Sequence, residues 1–279
     1  MSAVIMDGRS FSATLLEKLK EEISKNHLFA NLAVIRIGQN EASKKYVASK
    51  IITCNKIGIG SVSIEHDDIS ETELINIIKE LNCDNKINGI LVQLPLPDHI
   101  KKENIINSVL PSKDVDGIHP YNLGSLIYGN ELFSPCTPLG IFELIKYYKI
   151  PVEGKNAVII GRSSLVGKPL SLILTNNNAT VTLCHSRSTD LASYTLNADI
   201  LISAAGRPFL VSADMVKKNA CVIDVGINVV NGKIKGDVDF ENVKNTAGYI
   251  TPVPGGIGPM TVAMLMYNTV KAYLINKKT

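Results

Sequence analysis

A two-domain α/β architecture, each domain built on a mostly parallel sheet, is the fold class this sequence predicts. Three observations lead there. Short β-branched apolar runs alternate with longer stretches of helical periodicity along the whole chain, as strands joined by crossover helices do. The length, 279 residues, suggests two domains or one large one. With 45% hydrophobic and 20% charged residues, the chain carries enough apolar material for two such cores.

Taken in order, residues 10–25 place Leu15, Leu16, Leu19 and Ile23 at helical spacing. The run 32–37 (LAVIRI), ended by Gly38, reads as a buried strand. Asn40 and Ser43 are both suitable N-caps for a helix that continues without Pro or Gly to Lys56. Residues 61–66 alternate as a strand. Ser70, with Glu73 at capping-box spacing, opens a helix to about Leu81. The run 87–94 is a third strand, closed by Pro95 and Pro97. These elements form a first, mostly parallel sheet.

The second part begins near Pro138 with a helix over 139–148 and a Pro- and Gly-bearing link at 151–154. Strands follow at 156–160, 179–184, 198–203 and 220–225, with helical segments between, a doubly wound pattern. Residues 229–234 hold Asn231-Gly232 at their centre and read as a hairpin. Residues 259–275 form a last amphipathic helix that leaves the second domain to pack on the first. The expected division is therefore 1–138 with 259–279 in one domain and 139–258 in the other.

Composition excludes several classes. A net charge of +3 without a run of one sign argues against a nucleic-acid surface. The five cysteines are widely spaced and form no CxxC, which argues against a disulfide framework or a metal cluster. The first residues, MSAVIMDGRSFS, do not resemble a signal peptide, and no apolar run approaches the ~18 residues of a membrane span. The expectation is a soluble, cytoplasmic protein without metal or membrane partners.

Two stretches carry chemistry. Tyr46 and Lys50 lie four residues apart on one helix face directly after a buried strand, where a phenol and an amine can hold a flat substrate and move a proton. The alternative is a solvated face with a snorkelling lysine. The second stretch, 161–167 (GRSSLVG), joins a strand to a helix where bare N–H groups can approach phosphate oxygens. It departs from GxGxxG, because Ser163 and Val166 stand at the second and third glycine positions; the alternative is an ordinary βα turn. After the next strand the chain reads Cys184-His185-Ser186-Arg187, without the acid an NAD site uses for the ribose 2′-hydroxyl. Ser186 and Arg187, with Arg162, suit a 2′-phosphate, so NADP is predicted over NAD. His185 reads as a structural or solvent-facing residue.

Four segments read together are more specific: YVASK at 46–50, VQLPLP at 92–97, PSKDVDG at 111–117 and TPVPGGIGPMT at 251–261. With Gly161-Arg162-Ser163 between the last two, they closely resemble the bifunctional methylenetetrahydrofolate dehydrogenase/methenyltetrahydrofolate cyclohydrolase family, over essentially the whole chain. The resemblance implies an N-terminal α/β catalytic domain that binds tetrahydrofolate derivatives and a Rossmann-like NADP domain, together carrying two reactions in one cleft. 5,10-Methylenetetrahydrofolate gives a hydride to NADP; water then opens the methenyl product to 10-formyltetrahydrofolate, within one-carbon metabolism and purine biosynthesis. It also implies a homodimer.

By motif position the resemblance makes Lys50 the catalytic lysine, Tyr46 the residue that stacks on the folate, Gln93 the lysine's hydrogen-bond partner and Asp116 the acid that holds the pterin. Leu94, Pro95, Pro254, Gly255 and Gly256 fall in substrate-binding segments. Gly161, Arg162, Ser163, Gly167, Ser186, Arg187 and Ile227 fall on the cofactor side. The residues are suited to these roles on chemical grounds. A lysine in a partly apolar cleft loses solvation and its pKa falls, and a neutral amide orients it without raising that pKa again. For Asp116 the alternative is a loop carboxylate capping a turn; for the 254–258 segment it is a domain hinge. One departure is Glu41, where relatives often have proline; at a helix start an acid is favourable.

Two other enzyme readings share features with the chain. A short-chain dehydrogenase also uses YxxxK, but there the glycine-rich turn precedes that pair, whereas here it follows. A shikimate-type dehydrogenase would share the architecture without QLPLP and PGGIGPMT. A catalytically dead binding protein is a third reading, against which the intact Lys50, Gln93 and Asp116 argue.

Overall fold

The computed structural model describes residues 2–277. The chain divides into two compact units: Thr14–Cys136 with the residues from Val262 onward, and the residues up to Ala13 with Thr137–Thr261.

The first unit is built on a three-stranded parallel sheet in which Asn31–Ile37 lies between Gly60–His66 and Gly89–Gln93. The central strand is buried from Leu32 to Ile37, as a strand covered on both faces must be. Arg36 stands opposite Gln93 in register, and Ile37 opposite His66. Ala33, Ile35, Ile37, Leu74, Ile78, Ile90, Val92 and Ile105 share one core cluster.

Helix boundaries follow local chemistry. Glu41–Ile57 starts at Asn40, whose side chain accepts from Ser43 N at 2.9 Å, and ends at Gly58 in the left-handed region (φ 87°). Of the two caps the sequence offered, Asn40 is the one used. Glu71–Cys83 carries the expected Ser70/Glu73 capping box, with both reciprocal hydrogen bonds present. Two helices not anticipated from the sequence, Lys102–Ser108 and Pro120–Ile127, are too short to show clear periodicity.

The second unit holds a six-stranded parallel sheet. Across it run Val4–Ile5, Tyr249–Ile250, Cys221–Asp224, Ile200–Ser203, Asn156–Ile160 and Thr180–Cys184. The predicted doubly wound strands are all present. The two-residue strands Val4–Ile5 and Tyr249–Ile250 were not anticipated, because two residues establish no alternation. The hairpin Asn228–Val230/Lys233–Lys235 turns at Asn231 and Gly232, both with positive φ, as an Asn-Gly turn requires.

The last helix, Ile257–Asn276, is not amphipathic as expected. Met260, Ala263, Met264, Leu265, Met266, Val270 and Ala272 are all buried, so its apolar residues surround the axis.

Candidate active site

Within the first unit, the parallel strands deliver their functional residues at the carboxyl ends. Gly38 takes φ 91° at the end of the central strand, and its N–H donates to His66 O at 2.9 Å. Arg36 is buried, donates to Gly38 O, and pairs with Glu65 Oε2 through Nη2 at 2.6 Å. The turn that launches helix Glu41–Ile57 is thus held from two sides.

From that helix Lys50 points inward and is only 5% exposed. Its Nζ donates to Gln93 Oε1 at 2.8 Å and lies 4.6 Å from the centre of the Tyr46 ring. Gln93 Nε2 in turn donates to Leu94 O at 2.7 Å. That second bond determines which end of the amide faces the lysine, so the acceptor meets Nζ. Tyr46 is half-buried, with its ring one turn below the amine. The solvated-face alternative for Tyr46 and Lys50 therefore does not describe Lys50.

Asp116 is half-buried on the loop after a bridge between Ile90 and Asp114, which continues the sheet. The loop is anchored beneath. Lys113 Nζ donates to Leu81 O and Asp84 O, and Asp114 accepts from His119 N and from Asn122 Nδ2, each at 2.8 Å. Burial pulls the Lys50 ammonium below the ordinary lysine range, while the charge of Asp116 pushes back. Burial likewise raises the Asp116 carboxyl, opposed first by Lys50. Both groups are pushed toward their neutral forms, and each is the other's main charged influence.

Cys136 completes this cluster and was not singled out from the sequence. Its thiol is buried, raised well above the ordinary cysteine value by burial and then by Asp116, and donates to Val115 O at 3.3 Å. Asn268, also buried, donates to Val115 O at 2.9 Å and Ser134 O at 3.2 Å. No local pattern marks either residue; Cys136 lies between two prolines in SPCTP, which signals only a rigid turn.

The remaining sequence candidates lie in the second unit. Gly161 has φ 125°, and a Cβ there would lie 2.3 Å from Ala204 O. A Cβ on Gly167 would lie 1.9 Å from Gly161 O. The turn thus requires glycine at both ends, although the motif departs from GxGxxG. Ser163 Oγ accepts from Val166 N at 3.1 Å, and helix Gly167–Asn176 follows. Arg162, Ser163, Ser186, Arg187 and Ile227 are exposed. His185 Nδ1 accepts from Arg187 N at 3.1 Å, a local turn contact. This set of bare N–H groups, hydroxyls and guanidiniums, with no acid directly after strand Thr180–Cys184, fits a dinucleotide bearing a 2′-phosphate.

Pro254, Gly255 and Gly256 also belong to the second unit. Gly255 has φ 112°, its O accepts from Arg9 N at 2.8 Å, and a Cβ on Gly8 would lie 1.9 Å from Gly256 O. Among the described residues no group of His, Cys, Asp and Glu could hold a metal ion, and no helix is long and apolar enough to cross a membrane.

Comparison with known proteins gives consistent matches. Residues 6–116 match the model for the tetrahydrofolate dehydrogenase/cyclohydrolase catalytic domain, and residues 135–277 the model for the NAD(P)-binding domain of the same enzymes. The chain is 52% identical to the bifunctional protein FolD of Methanosphaerula palustris, over 96% of each chain. It is similar to the crystal structure of the bifunctional enzyme FolD from Campylobacter jejuni, with a TM-score of 0.96 and 50% identity over 98% of this chain and 99% of that one. A Trypanosoma brucei methylenetetrahydrofolate dehydrogenase-cyclohydrolase, solved with NADP cofactor and an inhibitor, gives a TM-score of 0.96 at 34% identity over the full length of both chains.

Proposed function

The chain belongs to the tetrahydrofolate dehydrogenase/cyclohydrolase family, and from that premise we propose how its residues divide two reactions. The protein is a bifunctional enzyme. It oxidises 5,10-methylenetetrahydrofolate with NADP, then hydrolyses the 5,10-methenyl product to 10-formyltetrahydrofolate. NADP, when bound, supplies the hydride acceptor.

Lys50 is the proton-handling group. Its amine takes a proton from the water that attacks the methenyl carbon and returns one to the ring nitrogen as the carbon–nitrogen bond opens. Water adds across the methenyl carbon, and one proton is released overall. Gln93 orients the amine without adding charge. Tyr46 stacks on the folate ring system, and Asp116 accepts hydrogen bonds from the pterin edge. Leu94, Pro95, Pro254, Gly255 and Gly256 bind substrate. The turn Gly161, Arg162, Ser163 and Gly167, with Ser186, Arg187 and Ile227, binds NADP. As a functional division, folate binding is assigned to residues 1–138 and 259–279 and NADP binding to 139–258, while by packing the residues up to Ala13 belong with Thr137–Thr261. The observation that carries the reading is the buried Lys50 amine, hydrogen-bonded to a neutral amide and set over the Tyr46 ring.

The finer setting is proposed on the same basis: a cytoplasmic homodimer that contributes one-carbon units to purine biosynthesis. Strand Thr180–Cys184 stands at an edge of the six-stranded sheet, and Val229 and Ile234 expose apolar surface on the hairpin. Sedimentation of the purified protein tests the dimer.

The activity test supplies 5,10-methylenetetrahydrofolate with NADP or NAD and follows reduced nucleotide and methenyl absorbance together. Reduction of NADP without methenyl accumulation is expected. Preference for NAD would overturn the roles of Arg162, Ser186 and Arg187, and absence of reduction with either nucleotide would overturn the catalytic assignment.

A further inference from the structure

The second unit contains a pair of buried acids, Asp224 and Asp237, that neither reaction uses. Asp237 is fully buried, and its carboxylate accepts five hydrogen bonds. Oδ2 accepts from Ser203 Oγ at 3.1 Å, Ala205 N at 2.7 Å and Gly206 N at 3.1 Å. Oδ1 accepts from Arg207 N at 2.8 Å and Asn228 Nδ2 at 3.0 Å. Three successive backbone N–H groups converging on one anion form a nest of the kind that binds external anions. Here the anion is internal. Asp224 holds it from below, accepting from Asp237 N and Val238 N, each at 2.9 Å. A Cβ on Gly226 would lie 2.1 Å from Asp237 Oδ1, so the carboxylate is enclosed by backbone.

The loop it holds occupies a particular place. From strand Asn156–Ile160 the chain first moves outward to Thr180–Cys184, then crosses to Ile200–Ser203 on the other side. The order of the sheet reverses between Asn156–Ile160 and Ile200–Ser203, and ligands of open α/β sheets bind at the carboxyl end of such a reversal. One wall of that crevice is the turn at Gly161. The other is the loop 204–207: Ala204 N donates to Ile160 O at 2.8 Å, and residues 205–207 are exposed. Asn228, tied to the same carboxylate, follows Ile227.

We propose that Asp237 is a positioning residue for NADP, acting as a built-in anion that shapes the loop 204–207 facing the phosphate-binding turn. The proposal rests on the reading of this unit as the NADP domain. Asp237 touches no cofactor atom itself. It orients the backbone of one wall before the dinucleotide arrives, so its loss costs cofactor affinity and not folate chemistry.

The test is Asp237→Asn in the full-length protein. The amide presents one acceptor oxygen and two donor hydrogens where the native side chain meets five donors. NADPH affinity, read by its fluorescence on binding, is expected to fall about tenfold or more, with KM for NADP rising in parallel. Hydrolysis of 5,10-methenyltetrahydrofolate without nucleotide is expected to stay within about twofold of wild type. Unchanged NADPH affinity overturns the proposal. So does equal loss of both activities with a lowered melting temperature, which would make Asp237 a general structural residue. Wild-type protein that fails to bind NADPH takes down the NADP reading and this proposal together.

Two further measurements stand should Asp237→Asn fail to fold. Ser203→Ala removes one of the five donors and is expected to weaken NADPH binding about two- to fivefold; no change counts against the proposal. In the wild type, the amides of residues 205–207 are expected to exchange with solvent about a hundredfold slower than in free peptide, despite their exposure. Free-peptide rates there would refute the nest.

Discussion

Lys50 Nζ donates a 2.8 Å hydrogen bond to Gln93 Oε1, a buried amine meeting an acceptor that carries no charge. A carboxylate at that place would form an ion pair and hold the ammonium. The amide satisfies one donor and leaves the desolvation of the charge uncompensated at that atom. The lysine is therefore held in one orientation while its proton stays easy to lose.

Replacing Lys50 with Met keeps the volume of the stem and removes the amine. Cyclohydrolase turnover is expected to fall about 10²- to 10⁴-fold, the usual worth of a positioned acid–base group. NADPH binding should be unchanged. Turnover equal to wild type in a stopped-flow hydrolysis assay would remove Lys50 from the mechanism.

Gln93→Glu supplies the charge that the native site lacks. It should raise the Lys50 pKa and move the alkaline-rising limb of the cyclohydrolase pH profile to higher pH. A profile superimposable on wild type would show that the amide's neutrality is immaterial.

The lowered Lys50 pKa also predicts a pH-dependent stability. Below its folded pKa the buried ammonium carries its full desolvation penalty. Between that pKa and the ordinary lysine value of 10.5 the unfolded chain binds the extra proton, so stability rises with pH across this window. Urea midpoints of wild type and Lys50→Met should thus diverge in favour of wild type as pH rises, by at most about 1.4 kcal/mol per pH unit. Parallel lines would contradict the shift.

Gly167→Ala places a methyl 1.9 Å from Gly161 O, so backbone must move at the start of the helix. Destabilisation of about 1–3 kcal/mol is expected, as for other overpacked sites. NADPH affinity should fall about tenfold or more, with nucleotide-free hydrolysis retained. Fluorescence titration distinguishes this from unchanged binding, which would detach the turn from the cofactor.

Ser70→Ala removes one half of the capping box of helix Glu71–Cys83. A loss of about 1 kcal/mol in chemical denaturation is expected, without change in either activity. A catalytic defect would mean that this helix end reaches the site.

Legibility from sequence followed the range of each interaction. Tyr46 and Lys50 were readable because helical spacing alone puts them on one face, and Ser70 with Glu73 because a capping box is complete within four residues. Gln93 as the lysine's partner was readable only through the family resemblance carried by QLPLP, since a strand end by itself marks no more than a polar residue. Cys136 and Asn268 were not, because they meet the Asp116 loop only through contacts between distant segments. Asp237 was hidden for a related reason. Within GDVDF it looks like one of two loop acids, and only the fold shows that Asp237 is buried while Asp239 stands at the start of a short helix.

The strand Val4–Ile5 pairs, among the described residues, with Tyr249–Ile250 alone, a segment that follows all the other strands of this sheet in sequence. During synthesis Val4–Ile5 therefore waits for that segment, while sequentially closer strands of the sheet find one another first. Of the other five strands, each after Asn156–Ile160 meets a neighbour already made, so the sheet is closed by the earliest of its own strands.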